Sequence, residues 1–141
     1  MLVLDANAAI SILKKTPEGR AFSELMKDNE RVIAPHLYVA EITNALRKHV
    51  RAGDYTLELA HALQIEALNL VDEFIDMREN CIEALDESIR NNHSSYDMFY
   101  FILARRNGAT LFTLDRRLIA LCEKLKIDCV HAVSMEESLE S

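Results

Sequence analysis

The chain has 141 residues, half of them hydrophobic, and a formal net charge of -7 at pH 7. With only three glycines and two prolines, its composition is that of an ordered globular protein and excludes collagen-like and low-complexity chains. The length predicts one domain, spanning residues 1–141, with a single hydrophobic core.

Membrane insertion and secretion are not expected from this sequence. The longest apolar runs are about seven residues, too short to cross a bilayer, and Met1 opens on an apolar run with no basic segment before it. Cys81, Cys122 and Cys129 are odd in number and lack the spacing of a disulfide framework, so we expect reduced structural thiols. These features together predict a cytoplasmic protein.

The charged residues are distributed unevenly. Ten acids and one base, Arg78, lie between residues 54 and 87, and we interpret this stretch as a solvated face. A negative total argues against a nucleic-acid partner, but local clusters of bases remain available for phosphate contacts. These bases are Arg47, Lys48, Arg51, Arg105, Arg106, Arg116 and Arg117.

The first quarter of the chain predicts two strands and two helices. Residues 1–4 form a short apolar run, typical of a central strand buried on both faces, which ends at Asp5. Asn7 is a suitable N-cap for a helix over residues 8–14. A helix that starts at Thr16-Pro17 follows, and then a strand at 31–34 that Pro35 should end.

The next predicted helix, residues 37–51, carries an acid in an apolar setting. Helical spacing places Glu41 and Asn44 on one face, with Lys48 and Arg51 further along the same stripe. The opposite face is apolar, with Val39, Ile42 and Leu46. Because burial of an unpaired carboxylate is costly, Glu41 needs a partner.

The middle of the chain predicts helix, edge strand and helix. Residues 54–70 read as a helix, and residues 71–77 contain a short edge strand. Residues 80–90 form another helix, whose inward face we assign to Ile82, Leu85 and Ile89.

The segment from Ser94 to Asp115 predicts a capped, buried helix followed by a strand. Ser94 and Asp97 have the spacing of a capping box, and residues 98–104 are apolar all round. Gly108 stands where a left-handed helix end is expected, and the strand after it runs to Asp115. A helix at 116–124, a strand at 127–130 and an acidic tail at 134–141 complete the chain.

Strands that alternate with helices predict a three-layer α/β/α fold with a mainly parallel sheet. In such sheets the carboxyl ends of the strands form the ligand-binding edge. Four acids come to this edge or to helix ends that face it: Asp5, Glu41, Asp97 and Asp115. A strand-end cap explains Asp5 or Asp115 alone, and a capping box explains Asp97, but neither explains Glu41.

Four carboxylates in one cleft repel one another unless cations bind. Mg²⁺ or Mn²⁺ accepts carboxylate ligands together with waters, and a pair of such ions can hydrolyse a phosphodiester. The histidines and cysteines are scattered, and the chain has no glycine-rich phosphate loop. The pattern therefore favours metal-dependent phosphodiester chemistry.

The sequence resembles the PIN-domain nucleases, and within them the VapC-type toxins of toxin–antitoxin pairs. The resemblance covers essentially the whole chain and rests on four motifs in order: Leu4-Asp5-Ala6-Asn7, Pro35 with Glu41, Asn44 and Leu46, Tyr96-Asp97 with Tyr100 and Ala104, and Thr113 with Asp115 and Leu118. The strongly acidic 54–87 stretch departs from the simplest form of the pattern.

The resemblance implies a five-stranded sheet in the order 3-2-1-4-5 and an Mg²⁺- or Mn²⁺-dependent endoribonuclease that cleaves tRNA or rRNA. It implies that Asp5, Glu41, Asp97 and Asp115 bind the metal and that Asn7, Asn44 and Thr113 orient these acids or the bound water. It also implies a homodimer that is held by a cognate antitoxin. The apolar faces of residues 16–27 and 37–51 offer surface for the homodimer. Lys48, Arg51 and Arg116 are the bases that we favour as RNA contacts.

Two other functions are compatible with the residues. A phosphoryl-transfer domain could use Asp5 as an acyl-phosphate nucleophile, although it should carry a lysine at the end of a later strand, where this chain has none. A non-catalytic scaffold could keep the fold and lose the chemistry, but such a protein has no need of all four acids.

Overall fold

The structure, a computed structural model, describes residues 1–26 and 30–130, in which strands and helices alternate. The strands are β1 (Leu2–Leu4), β2 (Val32–Pro35), β3 (Glu73–Ile75), β4 (Thr110–Phe112) and β5 (Cys129–Val130). The helices are α1 (Ala6–Lys14), α2 (Pro17–Leu25), α3 (Leu37–Arg51), α4 (Leu57–Asn69), α5 (Cys81–Asn91), α6 (Ser95–Asn107) and α7 (Arg116–Leu125). A 3-10 turn covers Met77–Glu79.

The strands form one parallel sheet in the order β3-β2-β1-β4-β5, with helices on its flanks. This confirms the predicted α/β/α class and the order 3-2-1-4-5. Val3 of the central strand lies in register with Ile33 on one side and Leu111 on the other. All three residues of β1 are buried, as their unbroken apolar run predicts.

Helix α6 is the buried helix that the sequence predicts. Six of its residues, including Tyr100 and Phe101, are buried where the helix packs against β1, β2 and β4. It ends at Gly108, which adopts the left-handed conformation with φ 56°. The helix and the strand after it therefore return the chain to the same edge of the sheet.

Two predicted boundaries are wrong by a residue or two. Asp5, not Asn7, occupies the cap position of α1, because the Asn7 side chain instead accepts a bond from the backbone of Leu114. Pro35 is the last residue of β2, in register with Ile75, and does not precede the break. A proline at a strand end removes only one donor from the ladder, so it is tolerated there.

The predicted inward face of α5 is wrong. Ile82, Leu85 and Ile89 are 76%, 60% and 76% exposed, respectively. The buried side of α5 carries Ala84 and Glu87 instead. On this side of α5, Glu83 and Glu87 form ion pairs with Arg105 of α6.

The three cysteines are free thiols, as predicted. No helix in the described part of the chain is both long and apolar enough to cross a bilayer. The predicted tail at 134–141 lies outside the described residues.

Gly19 brings α2 close to α1, and we predict that Gly19→Ala destabilises the fold. A Cβ at this position lies 1.9 Å from the carbonyl oxygen of Ser11, so the helices must move apart. Alanine is the better helix former by about 1 kcal/mol, but overpacking costs roughly 1–3 kcal/mol or more. We expect a net loss of about 1–2 kcal/mol in the free energy of unfolding, measured by urea denaturation.

The matched control is Ser23→Ala on the exposed side of the same helix. It should change the free energy of unfolding by less than about 0.5 kcal/mol. A Gly19→Ala protein as stable as the wild type would show that the two helices separate without cost.

Candidate functional site

The site begins where the adjacent strands β1 and β4 end together. Leu4 and Phe112 are partners in the parallel register, so Asp5 and Thr113 follow side by side. Thr113 is fully buried, and its hydroxyl donates to Oδ2 of Asp5 at 2.8 Å. Asp5 is itself only 4% exposed. The carboxylate of Asp5 is thus fixed by a residue 108 positions away in the sequence.

Asn7 reinforces this junction from the first turn of α1. Its Nδ2 lies 3.2 Å from Oδ2 of Asp5, and its Oδ1 accepts the backbone N–H of Leu114 at 2.9 Å. The same amide lies 3.5 Å from the hydroxyl of Thr113. Asn7 and Thr113, which the resemblance implies to be orienting residues, are both in contact with Asp5.

Asp115 caps helix α7 and is also one of the four acids of the site. Its Oδ1 accepts the backbone N–H groups of Arg117 at 2.9 Å and Leu118 at 3.2 Å, which caps α7. Its own N–H donates to the Thr113 hydroxyl at 3.1 Å. The strand-end cap expected for this acid is therefore present.

Asp97 is held by His93, which lies just before α6. Nε2 of His93 lies 2.9 Å from Oδ2 of Asp97, and the His93 side chain is only 7% exposed. The capping box is wrong in detail: Ser94 accepts the N–H of Tyr96, and the Asp97 carboxylate faces His93. The four-residue spacing of His93 and Asp97 is the sequence feature from which this pair could have been predicted.

Glu41 has the partner that its apolar helix requires. The hydroxyl of Tyr100 on α6 donates to Oε1 of Glu41 at 2.7 Å, and Tyr100 is 1% exposed. A tyrosine in a buried helix needs a partner for its hydroxyl, so Tyr100 could have been paired with an acid from the sequence. The bond connects α3 with α6 across the site.

The electrostatics of the acids indicate that they share one region. Burial, together with the charges of Glu41, Asp97 and Asp115, raises the pKa of Asp5 to about 7, although the hydrogen bond from Thr113 lowers it. Burial also raises the pKa of Glu41 and of Asp97, against the bonds from Tyr100 and His93, respectively. Nearby carboxylates add to both shifts. Four acids from separate elements therefore act on one another, as the sequence predicts.

The donor set suits a hard divalent cation. In residues 1–26 and 30–130, no three His, Cys, Asp or Glu side chains already converge closely enough to form a coordination sphere. The hydrogen bonds described above anchor each acid through one oxygen. Buried carboxylates that repel one another are oxygen ligands whose charge Mg²⁺ or Mn²⁺ would neutralise.

Two depressions adjoin the acids along α3, and both are lined by Glu41 and Asn44. One, of about 510 Å³, also contacts Asn7 and Lys48. The other, of about 300 Å³, contacts Tyr96. Lys48 therefore reaches the acid region from α3, as its stripe predicts.

The other favoured bases lie in different places. Arg51 lines a cleft of about 320 Å³ between α3 and α4, together with Arg47 and Leu57. Arg116 is exposed at the first turn of α7, directly after Asp115.

The acidic 54–87 stretch neutralises two of the predicted phosphate contacts. Arg106 binds Glu83 at 2.8 Å, and Arg105 lies 3.3 Å from Glu83 and 3.5 Å from Glu87. Other acids of the stretch also have partners: Asp54 with His49, Asp72 with the N–H of Val32, Glu73 with Arg31 and Asp76 with Arg78. Interpreting the stretch as a solvated face is therefore incomplete, because several of its acids secure the packing of α5 and β3.

The raised pKa of Asp5 makes the metal-free protein less stable as the pH rises. In the folded chain the pKa is about 7, against an ordinary value of 3.8. The folded state therefore holds an extra proton between these values, and the free energy of unfolding falls across this window. Without divalent metal we predict a loss of roughly 2–4 kcal/mol between pH 4 and pH 7, which Asp5→Asn should largely remove.

Urea denaturation at several pH values, with a chelator present, measures this loss. Asp86→Asn changes an exposed acid of α5 and should keep the wild-type pH slope. If Asp5→Asn has the same slope as the wild type, Asp5 is not the group that titrates.

The chain matches a known protein family over most of its length. Residues 2–124 match the family model of the PIN domain. Ribonuclease VapC1 of Mycobacterium tuberculosis is 34% identical over 122 residues, which are 84% of this chain and 88% of that protein. Ribonuclease VapC12 of the same organism is 29% identical over 118 residues, 84% of this chain and 89% of that protein.

Solved structures share the fold. PAE2754 from Pyrobaculum aerophilum superimposes with a TM-score of 0.69 at 24% identity, over 84% of this chain and 77% of that one. VapBC2 from Rickettsia felis, bound to a DNA fragment from its promoter, gives a TM-score of 0.67 at 18% identity, over 92% and 97% of the two chains. The chain therefore belongs to the PIN domain family, as a VapC-type member.

Proposed function

We propose that this protein is a divalent-metal-dependent endoribonuclease that hydrolyses RNA phosphodiester bonds, acting as the toxin of a toxin–antitoxin pair. The observation that carries the proposal is the mutual electrostatic effect of Asp5, Glu41, Asp97 and Asp115, which come from four separate parts of the chain. The ribonuclease names of the VapC1 and VapC12 relatives support the substrate class.

In this proposal the four carboxylates hold Mg²⁺ or Mn²⁺. When bound, such cations would supply positive charge to neutralise the acids and the phosphate, and would lower the pKa of a water for hydrolysis. Thr113 and Asn7 hold Asp5 through its Oδ2. The bonds from Tyr100 and His93 set the positions of Glu41 and Asp97 in the same way.

The RNA is bound along α3 and at the first turn of α7. Lys48 and Asn44 lie beside Glu41, and Arg116 follows Asp115, so these three side chains are the nearest candidates for phosphate and sugar contacts. Arg51 extends the positive surface toward α4. Structured tRNA or rRNA is the proposed target, and the cytoplasm the proposed compartment.

We predict that Asp5→Asn and Asp97→Asn each abolish Mn²⁺-dependent cleavage. Loss of one acid removes a ligand and an essential charge, so the rate should fall by at least about 100-fold. The measurement is cleavage of total tRNA and rRNA by purified protein, with and without chelator. Asp86→Asn is the control and should remain as active as the wild type.

Calorimetric titration with Mn²⁺ separates this proposal from its alternatives. A scaffold without chemistry should show no binding that depends on the four acids. A phosphoryl-transfer domain should form a trappable acyl phosphate on Asp5. Full ribonuclease activity of Asp5→Asn would rule out the assignment of the site.

An antitoxin is the proposed protein partner, supported by the solved VapBC2 complex, whose fold this chain shares. The cleft between α3 and α4 is a suitable place for it. Leu46, Val50 and Leu57 give the cleft an apolar floor, and Arg47 and Arg51 line it as well. This combination suits an amphipathic segment with acidic side chains.

The proposed homodimer uses α5. The faces expected from residues 16–27 and 37–51 are less suitable, because Phe22, Ile42 and Leu46 are buried in the core. By contrast, Ile82, Leu85 and Ile89 form an exposed stripe at helical spacing. Such a stripe can pack against its own copy about a two-fold axis.

We predict that the double variant Ile82→Glu with Ile89→Glu is monomeric, because it places two charges in the apolar contact. Sedimentation or light scattering at several concentrations measures the change. The control is Ile65→Glu on α4, which also changes an exposed isoleucine (62% exposed, against 76% for Ile82 and Ile89). It should leave the dimer intact. A monomeric wild type, or a control that dissociates equally, would contradict the assignment to α5.

A further inference from the structure

Tyr96 differs from the other tyrosines of the chain. The hydroxyls of Tyr38 and Tyr100 bind Ala67 and Glu41, and Tyr55 packs its ring against His49. Tyr96 is 62% exposed, and within residues 1–26 and 30–130 its side chain makes no hydrogen bond and no ring contact. It is also the one aromatic residue among the large exposed hydrophobic side chains of the described part. The fold therefore gives no structural reason for an aromatic ring at this position.

The ring stands beside the acids. Tyr96 directly precedes Asp97 in the first turn of α6. It lines a depression of about 300 Å³ together with Leu37, Ala40, Glu41 and Asn44. This volume is at the lower end of the roughly 300–1,000 Å³ of small-ligand pockets, so the depression suits one planar ring.

The depression continues on the other side of Glu41. Glu41 and Asn44 also line the neighbouring depression, which Lys48 and Asn7 complete. From Leu37 to Lys48 the two depressions span twelve residues of α3, or about 16 Å along the helix. A track thus runs past the acids, with an aromatic ring at one end and a cation at the other.

We infer that Tyr96 is a stacking platform for one nucleobase of single-stranded RNA, next to the phosphate at the acid site. The inference rests on the proposed function and adds the residue that holds a base of the substrate. Proteins that bind single strands combine a cationic track for the backbone with aromatic rings for the bases. A paired base is stacked inside its helix and cannot lie flat on the ring.

Binding of a short single-stranded RNA that carries 2-aminopurine tests the inference. Ca²⁺, another cation with oxygen ligands, is present in place of Mg²⁺ or Mn²⁺. Stacking on Tyr96 should change the fluorescence of 2-aminopurine. Tyr96→Ala should weaken binding roughly 5- to 150-fold, whereas Tyr96→Phe, which keeps the ring, should stay within about twofold of the wild type.

Two controls separate stacking from other roles of Tyr96. Ile65→Ala, on a side chain with the same 62% exposure, should bind the RNA as the wild type does. Mn²⁺ affinity, measured by calorimetry, should be unchanged in Tyr96→Ala. A changed affinity would mean that Tyr96 acts by positioning Asp97, and it would overturn the inference. An altered oligomeric state of Tyr96→Ala would make the ring a subunit contact and overturn the inference.

The outcome also distinguishes this inference from the proposed function. If Asp5→Asn cleaves RNA as well as the wild type, the ribonuclease site itself is wrong. If Asp5→Asn is inactive but Tyr96→Ala binds RNA normally, or if duplex RNA binds as tightly as the single strand, only the stacking role fails.

Discussion

The hydrogen bond from Thr113 to Asp5 is the interaction on which the rest of the site depends. Asp5 follows the central strand, where its carboxylate is almost completely buried. Burial of a carboxylate is costly unless it accepts hydrogen bonds or binds a cation. Thr113 and Asn7 supply two hydrogen-bond donors. Burial and the neighbouring acids nevertheless raise the pKa of Asp5 to about 7. The fold tolerates an unfavourable group here, as is common at positions that bind metals or substrates.

A hydrogen bond also holds each of the other three carboxylates, but the donor differs from one to the next. A tyrosine holds Glu41, a histidine holds Asp97, and the backbone of α7 holds Asp115. In each case a neutral or polar donor, not a lysine or arginine, makes the bond. A permanent cation beside the acids would compete with a metal ion, whereas these donors orient the carboxylates and leave their charge available.

The sequence predicts the fold, and it predicts that the four acids come to one edge of the sheet, because both expectations depend on short-range patterns. Alternating strands and helices determine the parallel sheet, and the position of Asp5 or Asp115 follows from where a strand ends. The pairs Tyr100–Glu41 and Thr113–Asp5 join residues 59 and 108 positions apart, so periodicity could not show them. The α5 prediction failed for a related reason: Glu83 and Glu87 bind bases of α6, and no pattern within α5 reveals that.

The Tyr100–Glu41 bond also determines how the site can come apart. Thr113, Asn7 and Asp115 are interlinked around Asp5 by bonds between neighbouring strand ends, whereas Glu41 is held by the hydroxyl of Tyr100 on α6 and by the contacts of α3 with α1. Local unfolding proceeds in units that can open separately from the whole domain. Loss of the Tyr100–Glu41 bond would release one acid while Thr113, His93 and the backbone of α7 still hold the other three, so the proposed activity could be lost without loss of the fold.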